Sequence, residues 1–172
     1  GKTHGAMFMP NKDDLVLLAF LNGDPQCPYV VGGTWNSDSP PPYTVEGGKN
    51  NHYCIKTLNG SELLFYDEKG KELIDLSTPT GALLTLNDAE KQAILADGKS
   101  KNSVKLDWSA GSIQVTSEKE LSLVCGSAKL TLKSDGTVAI EGKKITVSGT
   151  DVALEGKNSF KATGSTSDVE AK

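Results

Sequence analysis

From Leu63 onward one small unit repeats: two apolar residues at positions i and i+2, then a turn. The pairs Leu63/Phe65, Ile74/Leu76, Leu84/Leu86, Ile94/Ala96, Val104/Leu106 and Ile113/Val115 begin roughly ten residues apart. Turn signals separate them: Asp67-Glu68-Lys69-Gly70, Pro79-Thr80-Gly81, Asn87-Asp88 and Asp97-Gly98-Lys99. After residue 113 the period tightens. Ile113/Val115, Leu121/Leu123, Leu130/Leu132, Val138/Ile140, Ile145/Val147, Val152/Leu154 and Phe160/Ala162 step by 8, 9, 8, 7, 7 and 8 residues. Gly126, Gly142, Gly149, Gly156 and Gly164 end five of these units, where a residue free to adopt positive φ suits a corner. Each unit reads as a five-residue strand with two side chains on one face. One stretch competes: Asp88 to Gly98 obeys local helix rules, with an Asp cap, Glu90 in the first turn and Gly98 as stop. Strands on both sides nevertheless predict a strand at 92–96, because context overrides weak propensity.

A five-residue strand spans roughly 17 Å, one side of a narrow prism. A single chain winding all three sides would need about 24 residues per turn, so seven octads would give fewer than the roughly three repeats a solenoid needs. Three identical chains, each supplying one wall, avoid that limit. Composition agrees: apolar residues are only 37% and aromatic residues 6%, too little for a thick core within one chain. The expected fold is therefore all-β: a partial barrel segment, then a trimeric, intertwined triple-stranded β-helix. Its core would hold Ile113, Val115, Leu121, Leu123, Leu130, Leu132, Val138, Ile140, Ile145, Val147, Val152, Leu154 and Phe160.

The amino-terminal part has a different grammar. Eight of the ten aromatic residues fall within residues 1–66. The run from Leu15 to Leu21 reads as a buried strand ended by Asn22-Gly23-Asp24-Pro25, and Tyr29-Val30-Val31-Gly32 as a second strand. Pro40-Pro41-Pro42 lacks ladder donors and reads as an extended linker. Residues 1–46 are thus expected to be part of a small barrel whose other strands lie upstream. Residues 47–112 would form a prism of ten-residue repeats, 113–164 the octad β-helix, and 165–172 the tip.

Chemistry is sparse. His4 and His52 form no paired motif, Cys54 is the only Cys near a His, and carboxylates sit in turns or at strand ends. No metal, cofactor or catalytic residue is expected. Cys27, Cys54 and Cys125 are odd in number and widely spaced, which suits a reduced compartment during folding. The net charge is −4 and every basic residue is Lys, which argues against nucleic acid as a partner. No apolar run approaches the ~18 residues that span a bilayer. After residue 108, eight Lys balance eight Asp and Glu, so the shaft should be neutral.

Several stretches resemble a known family. Met9-Pro10, Leu15-Val16, Ala19-Phe20, Gly23-Asp24-Pro25, Pro28 and Val31-Gly32 resemble the oligomer-binding-fold (OB) segment of contractile injection spikes, and Trp35-Asn36 with Pro40-Pro41-Pro42 continues the likeness. Asn50-Asn51, Ile55-Lys56-Thr57, Gly60, Glu62-Leu63, Phe65, Lys71-Glu72, Ile74, Leu76, Thr78-Pro79 and Gly81 resemble the start of the spike's prism, and residues 102–107 its continuation. The family is the VgrG-like and phage central-spike group. The resemblance implies a homotrimer seated on a baseplate hub and inner tube, assembled in the bacterial cytoplasm and then secreted or carried on a phage-like particle. It implies puncture of a target envelope, delivery of effectors, and a PAAR-type tip protein on the blunt end, here Ser165, Thr166, Ser167, Asp168 and Val169. The turn Asn11-Lys12-Asp13-Asp14-Leu15 departs from the family's Gly-Asp-Glu-Val. No lysozyme-like insertion, following effector domain or carboxyl-terminal His-x-His is seen, so neither cell-wall cleavage nor an iron-bearing tip of its own is expected. The alternatives are a trimeric tail-fibre or adhesin shaft and a single-chain solenoid enzyme acting on polysaccharide.

Overall fold

The computed structural model describes residues 2–165. Its regular structure is twelve strands and one short 3-10 turn. The chain divides into two units, one ending at Thr116 and the other beginning at Ser117.

In the first unit, β1 (Val16–Phe20) and β2 (Pro28–Gly33) form an antiparallel hairpin. The Gly23-Asp24-Pro25 turn closes it. Asp24 N–H donates to the Leu21 carbonyl at 2.9 Å, Cys27 N–H to the Asp24 carbonyl at 3.0 Å, and the Asp24 carboxylate accepts from Gln26 N–H at 2.9 Å. Asx side chains favour turns because they cap backbone donors two residues on. The hairpin is not closed into a barrel: its sheet has two strands.

Seven strands then form one antiparallel meander: β3 (His52–Lys56), β4 (Glu62–Tyr66), β5 (Leu73–Ser77), β6 (Leu83–Asn87), β7 (Gln92–Ala96), β8 (Ser103–Asp107) and β9 (Ser112–Thr116). Each has five residues and each pairs with the next in chain order. Residues 92–96 are a strand, as the context predicts, despite their helical signals. The connections explain the meander. Thr57 to Ser61 and Thr78 to Ala82 make the same three-residue hairpin loop. In each, the Thr N–H donates to the carbonyl four residues on, and Gly60 (φ 90) or Gly81 (φ 87) donates back to the Thr carbonyl. The Thr hydroxyl oxygen accepts the N–H of Ser61 at 3.0 Å or of Ala82 at 3.1 Å. Such loops need a left-handed third residue and therefore glycine.

The second unit holds β10 (Glu120–Cys125), β11 (Ala128–Lys133) and β12 (Val138–Glu141), again an antiparallel meander. Residues 142–165 carry no regular strand.

Three observations bear on the expected repeat. First, every named strand of residues 52–141 finds its ladder partners within its own chain. Connections of two to six residues fold each strand back on the one before, as hairpin loops do. Second, Ile113 and Val115 pair with Leu106 and Val104 in the seven-stranded sheet. Third, Gly126 (φ 56), first residue of the two-residue β10–β11 loop, is left-handed, whereas Gly142, Gly149 and Gly156 lie outside the positive-φ region. Gly164 lies in backbone without a ladder. The second turn of this unit instead uses Gly136 (φ 88), in the same loop as Gly60 and Gly81.

Candidate functional site

The feature that could do work is a face, and the register builds it. Two side chains per strand point to one side of the seven-stranded sheet. Along one row stand Tyr53, Phe65, Ile74, Leu86, Ala93, Leu106 and Ile113; along the other, Ile55, Leu63, Leu76, Leu84, Leu95, Val104 and Val115. All fourteen are apolar or aromatic. The expected pair Ile94/Ala96 is corrected here by one residue. The ladder places Ala93 and Leu95 on this face, and a one-residue slip in an alternating strand reverses both sides. The opposite face carries three side chains per strand and is mixed: Cys54, Leu64, Asp75, Thr85, Ile94, Lys105 and Gln114 form its middle row.

The apolar face is open. Exposure runs from 40% at Phe65 and Ile74 to 74% at Ile113, with Leu63, Ala93 and Val104 half-buried. No hydrophobic side chain among the described residues is buried, whereas Thr85, Gln92 and Thr131 are. A contiguous apolar face of this extent marks an interaction surface in a water-borne protein.

The second unit repeats the pattern. Leu121, Leu132 and Val138 align across the three strands, as do Leu123, Leu130 and Ile140. Ile145, Val147, Val152, Leu154 and Phe160 follow, each exposed and in no strand. Ser165 lies at a bend, while Thr166, Ser167, Asp168 and Val169 fall outside the described residues.

One cluster escaped the sequence reading. Tyr43, just past the three prolines, stacks on His52 with ring centroids 4.4 Å apart and planes 5° apart. His52 in turn meets the Tyr66 ring at 4.9 Å, and the Lys56 ammonium lies 5.7 Å from the Tyr43 centroid. Burial and the neighbouring Glu62 carboxylate push the Tyr43 hydroxyl up to about 12. Lys56 pairs with Glu62, its cross-strand partner, at 3.3 Å, while Oε1 of Glu62 and Oδ1 of Asp75 are buried without hydrogen-bond partners. The aromatic crowding of residues 1–66 was the available signal. Among the described residues no group of His, Cys, Asp and Glu could hold a metal ion, and no helix is long and apolar enough to cross a membrane.

Comparison with known proteins supplies the class. Residues 1–35 match the family described as "Type VI secretion system/phage-baseplate injector OB domain". The whole chain aligns, at 26% identity over 206 residues, with 32% of the type VI secretion system spike protein VgrG1a of Pseudomonas aeruginosa. Shorter alignments reach two Vibrio cholerae proteins. The actin cross-linking toxin VgrG1 is 36% identical over 80 residues, covering 44% of this chain and 7% of the toxin. The spike protein VgrG3 is 33% identical over 78 residues, covering 43% of this chain and 8% of that protein. These matches are to injector baseplate and spike proteins, and the chain is similar to the VgrG-like members among them. It spans about a third or less of the length of these relatives.

Proposed function

We propose that this chain is one wall of a structural spike, a homotrimeric needle that a contractile injection apparatus drives through a target envelope. The observation that carries the reading is the fourteen-residue apolar face left open by a sheet only five residues wide. Full burial of a large apolar side chain contributes about 1.5–3 kcal/mol. These side chains are roughly half covered already, so enclosing the face adds on the order of 10–20 kcal/mol per copy. That is as large as the whole stability of an ordinary domain. Two further copies close the face into a prism with the mixed three-row face outward. Residues 142–164, which lack ladders in their own chain, are where neighbouring chains interwind.

The mechanism is mechanical. Seven hydrogen-bonded strands stacked at ~4.8 Å make a wall ~29 Å high, and axial load compresses ladders instead of peeling them. The hub and inner tube lie on the side of the OB-type hairpin. A PAAR-type tip protein seats beyond Ser165, and effectors travel with the needle. Assembly takes place in the bacterial cytoplasm and ends in secretion or in a phage-like particle. The chain performs no catalysis in this role, and the toxin activity named for one relative belongs to that protein. A tail-fibre shaft shares the prism but gives no reason for the injector OB match at residues 1–35. Epitope-tagged protein in the source cell tests the role. It should reach the medium only when the contractile sheath is intact. Release that persists without the sheath would overturn the reading.

A further inference from the structure

The two ends of the seven-stranded sheet differ in what they carry. Because the strands alternate in direction, turns leave the sheet from its two ends in strict alternation. At one end lie residues 57–61, 78–82 and 97–102; at the other lie 67–72, 88–91 and 108–111. The turns of one end are therefore offset from those of the other by one strand spacing, ~4.8 Å. At the first end two turns touch. A Cβ on Gly98 would overlap the Thr80 carbonyl oxygen, and one on Gly81 would lie 3.3 Å from Gly98 Cα. This seam of small residues lies level with the β6–β7 turn, Asp88 to Lys91, at the opposite end. The seam's second turn carries Lys99 and Lys101 with Asp97, a net positive turn, and the opposite turn carries Asp88 and Glu90 with Lys91, a net negative one.

We propose that the Asp88–Lys91 turn of one copy docks on the Thr80–Gly81–Gly98 seam of the next, with Lys99 facing Asp88 and Glu90. The occupant is a second copy of this chain, and the contact rests on the prism reading above. Closed rotational symmetry puts all copies at one height, so one end of a sheet must meet the other end of its neighbour. At that height the protruding acidic turn meets the flat seam and its lysine. The glycines are then small for two reasons: they let the two turns of one chain touch, and they leave room for the neighbour. The contact also fixes the order of ends around the axis, because two seams facing each other would oppose Lys99 to Lys99.

Zero-length coupling of amines to carboxylates in the intact native protein tests this, with peptide mapping of the product and solution mass measured in parallel. Within one chain the two turns are separated by the length of β7, ~17 Å for five residues, so a link from Lys99 to Asp88 or Glu90 can form only between copies. The expected result is that link in a three-chain species, with complete loss of the linked peptide in Lys99→Gln at unchanged mass. A three-chain species whose links join like ends, or that carries no Lys99 link to the 88–91 turn, overturns the docking and leaves the prism standing. A single-chain mass overturns both.

Discussion

Leu84 sits mid-row on the apolar face, between Leu76 and Leu95, and is 44% exposed in the single chain. If the face is closed by two further copies, Leu84→Ala removes three side chains from one enclosed level. Leu→Ala in a closed core costs about 2–5 kcal/mol, as lost transfer plus residual cavity. Three such changes at one level then cost on the order of 6–15 kcal/mol per assembly, most of it in subunit affinity. If the face meets water instead, the same change costs no more than about 1 kcal/mol, since nearly half the side chain is already wet. Gln114→Ala on the opposite face is the matched control, expected to stay within about 0.5 kcal/mol. Chemical denaturation at several protein concentrations, with mass read alongside, separates the cases. The Leu84 variant should unfold at markedly lower denaturant, with a midpoint that falls on dilution. A midpoint matching Gln114→Ala and independent of concentration would mean that the face meets water.

Gly98→Ala forces a methyl group onto the Thr80 carbonyl oxygen, a backbone atom that cannot swing away. It should destabilise by roughly 1–3 kcal/mol in a denaturant titration, with the two turns forced apart. The Tyr43 hydroxyl is raised, so the folded state holds its proton more tightly than the unfolded chain. Its contribution to stability is complete below about pH 10, is lost as pH rises through about 12, and should appear as a late phenolate step in an absorbance titration that Tyr43→Phe abolishes. Asp107 is held down at about 2 by donors from Ser109 and Ala110, with Lys105 beside it. It stabilises above the ordinary carboxylate pKa and stops doing so as pH falls through about 2, so Asp107→Asn should flatten the acid limb of the unfolding curve.

Between Leu63 and Ile140 most strands were legible in the sequence because period-2 pairs survive any tertiary context, whereas Ile145/Val147, Val152/Leu154 and Phe160/Ala162 lie in no strand. Leu63/Phe65, Ile74/Leu76 and Val104/Leu106 needed only alternation. The slip at Ile94/Ala96 arose because Ala93-Ile94-Leu95-Ala96 is apolar on both faces, and only pairing with Leu84 and Leu86 selects Ala93 and Leu95. The same pairing turned the helix-compatible stretch after Asp88 into β7. Turn positions were readable from Gly and Asx residues, but turn conformations were not. Gly136 and Gly142 look alike in sequence, yet only Gly136 is preceded by the Ser134-Asp135 pair that completes a three-residue hairpin loop. The stack of Tyr43 on His52 was hidden because it joins a linker to a strand, a contact with no period to betray it.

The solution mass of the native protein shows whether further copies of the chain close the apolar face. Light scattering or native mass spectrometry should find three times the 18.2 kDa chain mass, held together at low concentration. A folded, stable species of one chain mass, with its apolar face in water, would contradict the account.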